Sequence, residues 1–310
     1  MVKELSYLEE CIYNAMNSQF EKLLGLVKNQ SLQEGINHTL VPSLNIFKSS
    51  NTTGKLHTVY EPSLFVIVQG AKIVIINDKK IMYDSSSYLI SSTFMPVSGK
   101  IIEAPFLSLQ ITFTFEQIFE AIEQFSIKPQ KITETKLAMS SYEMTDNLLN
   151  CVYRLVSLLN TPEDAKDLSS LYLKEILYRL LISNNNIELK QFAYAKGNAY
   201  KISNAIAYMN DKLFDNLQID EIAEYINMSV SSFHKHFKII TSVSPIQYIK
   251  KQKLQKAKSL MLSENMDVSG ASYYVGYQSV SQFSREYSSY FGVSPSIDIK
   301  NFKEQWSGTF

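Results

Sequence analysis

One pattern occurs twice in this chain and restricts its C-terminal third more than any other feature. Ile219, Ile222, Ala223 and Ile226 stand at helical spacing and form one apolar stripe. Asn227 follows, a residue type that accepts the left-handed backbone of a tight turn. Ser229 can cap a second helix, in which Phe233 and Phe237 form a buried i, i+4 pair. About fifty residues further on the pattern returns, an offset typical of duplicated units. Val268, Ala271 and Val275 repeat the stripe, Gly276 takes the turn, and Phe283 and Tyr287 repeat the aromatic pair. Val243-Ser244-Pro245 recurs as Val293-Ser294-Pro295. Two helices meeting at a small residue across a short turn is helix-turn-helix grammar. Pro245 opens a connecting helix that runs toward Leu262. At roughly 1.5 Å per residue it is about 25 Å long. It can hold the two second helices about 34 Å apart, one turn of a DNA duplex.

Ser229 through Met261, and then Val268 through Ser294-Pro295, resemble the AraC/XylS family of bacterial transcription regulators. The resemblance covers about the last hundred residues. It departs from the family at Lys253, where Arg is usual, and at Gly270, Ala271 and Ser272, which are smaller than the usual residues. A more loosely packed second unit with weaker DNA binding is expected from that. As partners the resemblance implies double-stranded DNA, a small-molecule effector, a second copy of the chain and RNA polymerase. It implies a transcriptional activator in the bacterial cytoplasm, on the nucleoid. The sequence itself does not decide between raising and lowering transcription.

The phase of each second helix sorts its side chains. With Phe233 and Phe237 inward, Ser231, His234, Lys235 and Lys238 face outward. Early exposed positions of such a helix meet base edges in the major groove. Position and resemblance together assign Ser231, His234 and Lys235 to bases and Lys238 to phosphate. On the second copy, Ser281, Ser284, Arg285 and Ser288 are the outward set. Arg285 is suited to bidentate guanine reading; a phosphate contact or an ion pair near Glu286 is its alternative. Net charge is zero, with 30 basic and 30 acidic residues, so composition does not announce a nucleic-acid partner. The basic charge is local. Lys250, Lys251, Lys253, Lys256 and Lys258 cluster on the connecting helix with no acid among them. Alone, such a cluster reads as a solvated face; beside the repeated motif, Lys251 and Lys256 are expected to meet phosphates.

A chain of 310 residues suggests two domains, each able to bury a core. Leu5, Leu8, Ile12, Met16, Phe20, Leu23 and Val27 predict an amphipathic helix over residues 4–28. From residue 43 to 113 the apolar period becomes two. Strands are predicted at Leu44–Phe47, Leu56–Tyr60, Leu64–Gln69, Ile73–Ile76, Ile81–Tyr83, Tyr88–Ser91, Val97–Glu103 and Leu107–Phe113, with turns at Asn77-Asp78 and Asp84-Ser85. Many short strands in series favour a sandwich or barrel. Tyr60-Glu61-Pro62-Ser63-Leu64, Gln69-Gly70-Ala71-Lys72, Tyr83-Asp84 and Tyr88-Leu89 resemble the N-terminal domain of a subset of the same regulators, which is similar to a cupin. The expected fold class is α+β: an N-terminal cupin-like β-barrel with flanking helices and a C-terminal all-α double helix-turn-helix domain.

Such a barrel can be a catalyst or a container. Metal cupins need a clustered set of histidines and a carboxylate; this half holds only His38 and His57, and they form no His-x-His pair. Glycine-rich phosphate loops and Gly-x-Ser-x-Gly are missing as well. No metal, no cofactor and no enzyme is therefore expected. Gln69, Lys72, Tyr83 and Tyr88 are the candidates for lining an effector site, against the reading that the tyrosines are core and the lysine is solvated. A cupin-type enzyme fused to a DNA-binding module, or a DNA-binding dimer without an effector, are the alternatives.

Leu148, Val152, Leu155 and Leu159 step by four, three and four, a heptad seam. It can pair two chains, as a helix in this place does in the resembled family, or cover the barrel. A second helix is predicted over Leu168–Ile182, then a polar linker over 183–200, with Phe192 and Tyr194 docking. The expected organisation is an effector and dimerisation domain over 1–182 and a DNA-binding domain over 201–310. Two distant cysteines, Cys11 and Cys151, fit a reducing cytoplasm rather than a disulfide framework. Glu4, Glu9 and Glu10 do not suit a secretory signal, and no apolar run approaches a membrane span, so no membrane partner is expected.

Overall fold

The computed structural model describes residues 17–76, 79–127, 137–183, 187–190, 197–215 and 217–306. The predicted helical residues 4–16 with Cys11, the Asn77-Asp78 turn, and Phe192 and Tyr194 lie outside this set. Helix α1 covers residues 17–28 and buries Leu23 and Val27 completely. An antiparallel eight-stranded sheet follows: β1 (Gly35–His38), β2 (Leu44–Ser49), β3 (Leu56–Tyr60), β4 (Ser63–Ile76), β5 (Lys79–Tyr83), β6 (Ser87–Ser91), β7 (Met95–Thr112) and, later in the chain, β8 (Met139–Glu143). The order is β1-β2-β7-β4-β6-β8, with β3 also on β7 and β5 also on β4.

Two pairs of predicted strands are fused. Leu64–Gln69 and Ile73–Ile76 belong to one strand, β4, because Gln69-Gly70 is a bulge and not a turn. The register against β7 slips there, and Gly70 sits at φ +82°. A Cβ on Gly70 would stand 2.5 Å from the Glu103 carbonyl oxygen, so only glycine fits. Val97–Glu103 and Leu107–Phe113 likewise merge into β7, which pairs with β2, β3 and β4. Strands β1 and β8 carry too few apolar residues to announce themselves in the sequence.

Helix α2 (Phe115–Gln124) starts at a Thr114–Gln117 capping box. Helices α3 (Asp146–Ser157) and α4 (Pro162–Ile182) pack on each other. The expected linker is partly helical, with a short α5 (Ile187–Lys190) and α6 starting inside it (Asn198–Asp211). The two repeated motifs follow as α7 (Ile219–Tyr225) with α8 (Val230–Thr241), and α10 (Val268–Tyr274) with α11 (Val280–Phe291). Helix α9 (Pro245–Ser263) joins them, opened by a Ser244–Gln247 capping box with Pro245 in its first turn. Helix α12 (Pro295–Trp306) ends the described chain.

The cores do not divide where the linker does. One continuous cluster runs from the sheet through α2–α4 into the first motif, reaching Phe233, Phe237 and Tyr248. The second motif has a core of its own, built by Leu254, Leu260, Val275, Phe283 and Tyr287.

Candidate nucleic-acid interface

Both motifs form as the residues require. Ile222, Ala223, Phe233 and Phe237 are at most 1% exposed, and Asn227 takes the left-handed turn at φ 52°. Ser229 accepts a hydrogen bond from the Ser232 amide at 3.3 Å, capping α8. In the second motif Ala271, Val275, Phe283 and Tyr287 are fully buried and Gly276 turns at φ 85°. Each second helix ends at a left-handed residue, Ser242 or Gly292.

The outward faces are also as phased. On α8, Ser231, Lys235 and Lys238 are exposed and His234 is half-buried. On α11, Ser281 and Arg285 are exposed, while Ser284 and Ser288 are half-buried, the Ser288 hydroxyl donating to the Ser284 carbonyl at 2.7 Å. Glu286 is engaged elsewhere. It accepts from Lys250 Nζ at 3.0 Å, Tyr277 Oη at 2.9 Å and Gln282 Nε2 at 3.2 Å.

The lysine cluster of α9 is not one face. A helix turns 100° per residue, so neighbours in sequence point apart. Lys250 meets Glu286; Lys258 meets Asp298 at 2.6 Å, and Tyr287 Oη donates to the same carboxylate at 2.7 Å. Lys256 is exposed, as a phosphate contact needs. Lys251 is not placed for that role. It is half-buried against the sheet, with its ammonium 5.7 Å from the centre of the Tyr290 ring. Burial, and then the charge of Lys55, lower its pKa.

Lys251 borders a cleft of about 220 Å³ between the sheet and the second motif. Lys55, His57 and Ser98 line it from the sheet side, and Ser289 and Tyr290 from α11. His57 lies 4.7 Å from Tyr290 and 5.9 Å from Phe291, centre to centre, and its Nδ1 is 3.0 Å from Ser98 Oγ. Burial first, then Lys55, Lys251 and Lys258, lower its pKa to about 4. Lysines from two units thus flank one small cleft. Sequence reading missed it, because its walls come from residues some two hundred positions apart; His57 drew notice only as half of a metal pair that is not there.

Two other expected sets are dispersed or consumed. Leu148, Val152, Leu155 and Leu159 are 0–9% exposed, packed in the chain's own core, so they are not a seam for a second copy. Leu148, Val152 and Leu155 lie on α3, which packs on α4, and Leu159 lies in a 3-10 turn beyond its end. Of the ligand quartet, Lys72 and Tyr83 face each other across β4 and β5, whereas Gln69 pairs with Leu107 and Tyr88 with Val66. Tyr83 and Tyr88 are buried. The Lys72 ammonium sits 5.4–5.9 Å from the ring centres of Phe47, Tyr60 and Phe106. Among the described residues no cluster of three or more His, Cys, Asp or Glu could hold a metal ion. Nor is any described helix long and apolar enough to cross a membrane.

A strand-rich unit carrying two capped helix-turn-helix motifs on one connecting helix defines a DNA-binding regulator. Residues 40–187 match the AraC-type transcriptional regulator N-terminus, and residues 222–299 match a helix-turn-helix domain. The chain belongs to the AraC-type transcriptional regulators. It is similar to the HTH-type transcriptional activator RhaS of Escherichia coli, with 26% identity over 157 residues, 50% of this chain and 56% of RhaS. The chain thus spans about half the length of the curated relatives it matches. Its fold is similar to that of an apo ToxT variant from Vibrio cholerae, with a TM-score of 0.59 at 14% identity over 86% of this chain and 98% of the other. Unsaturated fatty acid-bound wild-type ToxT is similar too, with a TM-score of 0.55 at 16% identity over 83% and 93%.

Proposed function

We propose that this chain is an effector-responsive regulator in which a small carboxylate, seated between Lys55 and Lys251, pins the second helix-turn-helix unit to the sheet. The observation that carries this reading is the cleft itself: one cation from each unit, a few polar donors and apolar walls at Ile75 and Val97. A carboxylate there is held by charge-assisted hydrogen bonds from both sides. The fatty acid bound to ToxT supports a ligand of that chemical class. The second unit has its own core, so it is the part that can shift without unfolding the rest. The effector acts only by binding the pinned and free arrangements unequally. Pinning denies α11 the adjustment needed to follow a duplex, so the expected direction is weaker DNA binding.

In this reading residues 1–182 form the effector and dimerisation unit, its sheet closing as a cupin-like barrel. Residues 183–200 link it to a DNA-binding unit over 201–310. Ser231, His234, Lys235, Ser281, Ser284 and Arg285 meet bases; Lys238, Ser288 and Lys256 meet the backbone. Two copies pair through the outer face of α4, where Leu171 and Ile182 are 56% and 42% exposed at the spacing of a heptad seam. The regulator acts in the bacterial cytoplasm and, like RhaS by its name, raises transcription. The test is genome-wide DNA capture with transcript levels, with and without octanoate or oleate, in cells carrying the wild type or a Lys55→Gln/Lys251→Gln variant. Promoter occupancy that falls with the fatty acid in the wild type alone is expected. Occupancy indifferent to fatty acid in both would refute the effector reading.

A further inference from the structure

A second, larger groove lies between the two helix-turn-helix units, about 380 Å³ in volume. Its walls come from both units and from the connecting helix α9. Gln218 and Ile219 begin α7, the supporting helix of the first motif, while Gln278 and Gln282 flank the start of the recognition helix α11. In helix-turn-helix complexes the recognition helix enters the major groove at its N-terminal end, and the supporting helix crosses the backbone. An opening between these two places faces the strand that leaves one major groove for the next. Ile246 and Ile249 of α9 give it an apolar floor suited to deoxyribose, and Lys250 and Lys253 give it charge.

The charges are unequal in availability. Among the described residues no carboxylate pairs with Lys253. Its Nζ lies 3.2 Å from where a Cβ on Gly276 would stand, so the glycine turn also leaves room for this side chain. Lys250, by contrast, is held by Glu286 at 3.0 Å. Glu286 is fixed in turn by Tyr277 and Gln282. Burial works against its charge, yet Lys250, Gln282 and Tyr277 hold its pKa below the usual carboxylate range. A fixed negative charge thus sits in a groove that otherwise suits phosphate.

We propose that this groove seats the sugar–phosphate strand between the two major grooves, with Lys253 as its working cation, and that Glu286 is a built-in brake which occupies Lys250 and repels the phosphate. The inference rests on the DNA-binding reading of the two units and adds a contact surface neither recognition helix supplies. It makes opposite predictions for two residues that line the same groove, which a purely structural ion pair does not.

The experiment uses the full chain, a duplex it selects from a random pool, and a scrambled duplex of the same composition, each titrated across a range of KCl concentrations. Lys253→Gln should weaken binding to both duplexes by the same factor, roughly 3- to 10-fold, and flatten the salt dependence by about one charge. Glu286→Gln keeps hydrogen-bonding capacity and removes the charge. It should tighten binding to both duplexes by a similar factor and steepen the salt dependence. Methylphosphonate linkages between the half-sites should weaken the wild type but not Lys253→Gln, which tests the seat even if the Glu286 variant folds poorly. A Glu286→Gln chain that binds both duplexes no better than the wild type would overturn the brake. Losses at Lys253 confined to the selected duplex, or methylphosphonates that weaken both proteins alike, would overturn the seat. Lys235→Ala, which should strike the selected duplex alone, separates those outcomes from a failure of base reading.

Discussion

The imidazole of His57, on β3, lies 4.7 Å from the phenol ring of Tyr290, near the end of the second recognition helix. The first recognition helix is tied to the sheet unit as well: the Ala138 amide donates to the Ile240 carbonyl at 3.1 Å, satisfying a carbonyl that the end of α8 leaves open. Both α8 and α11 are therefore fastened near their C-terminal ends to the sheet unit. The two fastenings differ in kind. The Ile240 attachment lies within the continuous core, whereas the Tyr290 attachment spans two separate cores.

That difference gives a pH prediction. His57 titrates near 4 in the folded chain against 6.5 for the free side chain, so the folded state refuses a proton that the unfolded state accepts. Its folded pKa is depressed, so the contribution of neutral His57 is present above about pH 6.5 and lost as the pH falls toward 4. Lys55, Lys251 and Lys258 surround the ring and oppose protonation, and Asp298 alone favours it. The melting temperature of the wild type should fall more steeply from pH 6.5 to 4 than that of His57→Gln. Parallel curves would show that His57 does not carry this dependence.

Ser272 stands in the second motif where Ala223 stands in the first, and its buried hydroxyl has no hydrogen-bond partner. An unsatisfied buried hydroxyl costs about 1–3 kcal/mol. Ser272→Ala should raise stability in urea unfolding, by roughly 1 kcal/mol after the lost packing of the oxygen. Unchanged or lower stability would mean the hydroxyl is satisfied in solution.

Leu155 is fully buried and Leu171 is 56% exposed, so one substitution distinguishes core from interface. Leu155→Lys places an unpaired charge in the core and should abolish the cooperative fold. Leu171→Lys should leave the fold intact and give monomers in sedimentation. A folded Leu155→Lys chain, or a dimer that survives Leu171→Lys, would contradict the assignment of these faces.

How much of this was legible in the sequence depends on how local the determinants are. The two motifs, their turns at Asn227 and Gly276 and the cap at Ser229 are set within a dozen residues each, and periodicity was enough to place them. The strand region was legible as strands but not as two long ones, because a glycine bulge and a glycine turn look alike without the partner strand. The apolar stripe of α3 is buried, yet periodicity says only that a face is covered, not by what; here α4 packs on it, and Leu159 falls in a 3-10 turn past the helix end. The lysine cluster misled for a related reason: its acids, Glu286 and Asp298, come from α11 and α12.

The exposed heads make a direct claim about specificity. If Lys235 and Arg285 read base edges, changing either to Ala should cost about 1–3 kcal/mol on the selected duplex and relax preference at one position. Lys256→Ala should weaken selected and scrambled duplexes alike. The Lys235 change should cost more, since the first motif shares the large core and the second stands on a smaller one. Equal losses on both duplexes for Lys235 and Arg285 would reassign them to phosphates.

The cleft between His57 and Tyr290 is tested most directly by DNA affinity as a carboxylate fills it. A fluorescent selected duplex is titrated with the full chain at fixed salt and rising octanoate or oleate, for the wild type and for Lys55→Gln/Lys251→Gln. Affinity should fall at least tenfold, about 1.4 kcal/mol, as the wild type saturates, and the double variant should bind DNA with no response to the fatty acid. A wild type whose DNA affinity is flat across the titration, or a double variant that responds as strongly as the wild type, would contradict the proposed role of the cleft.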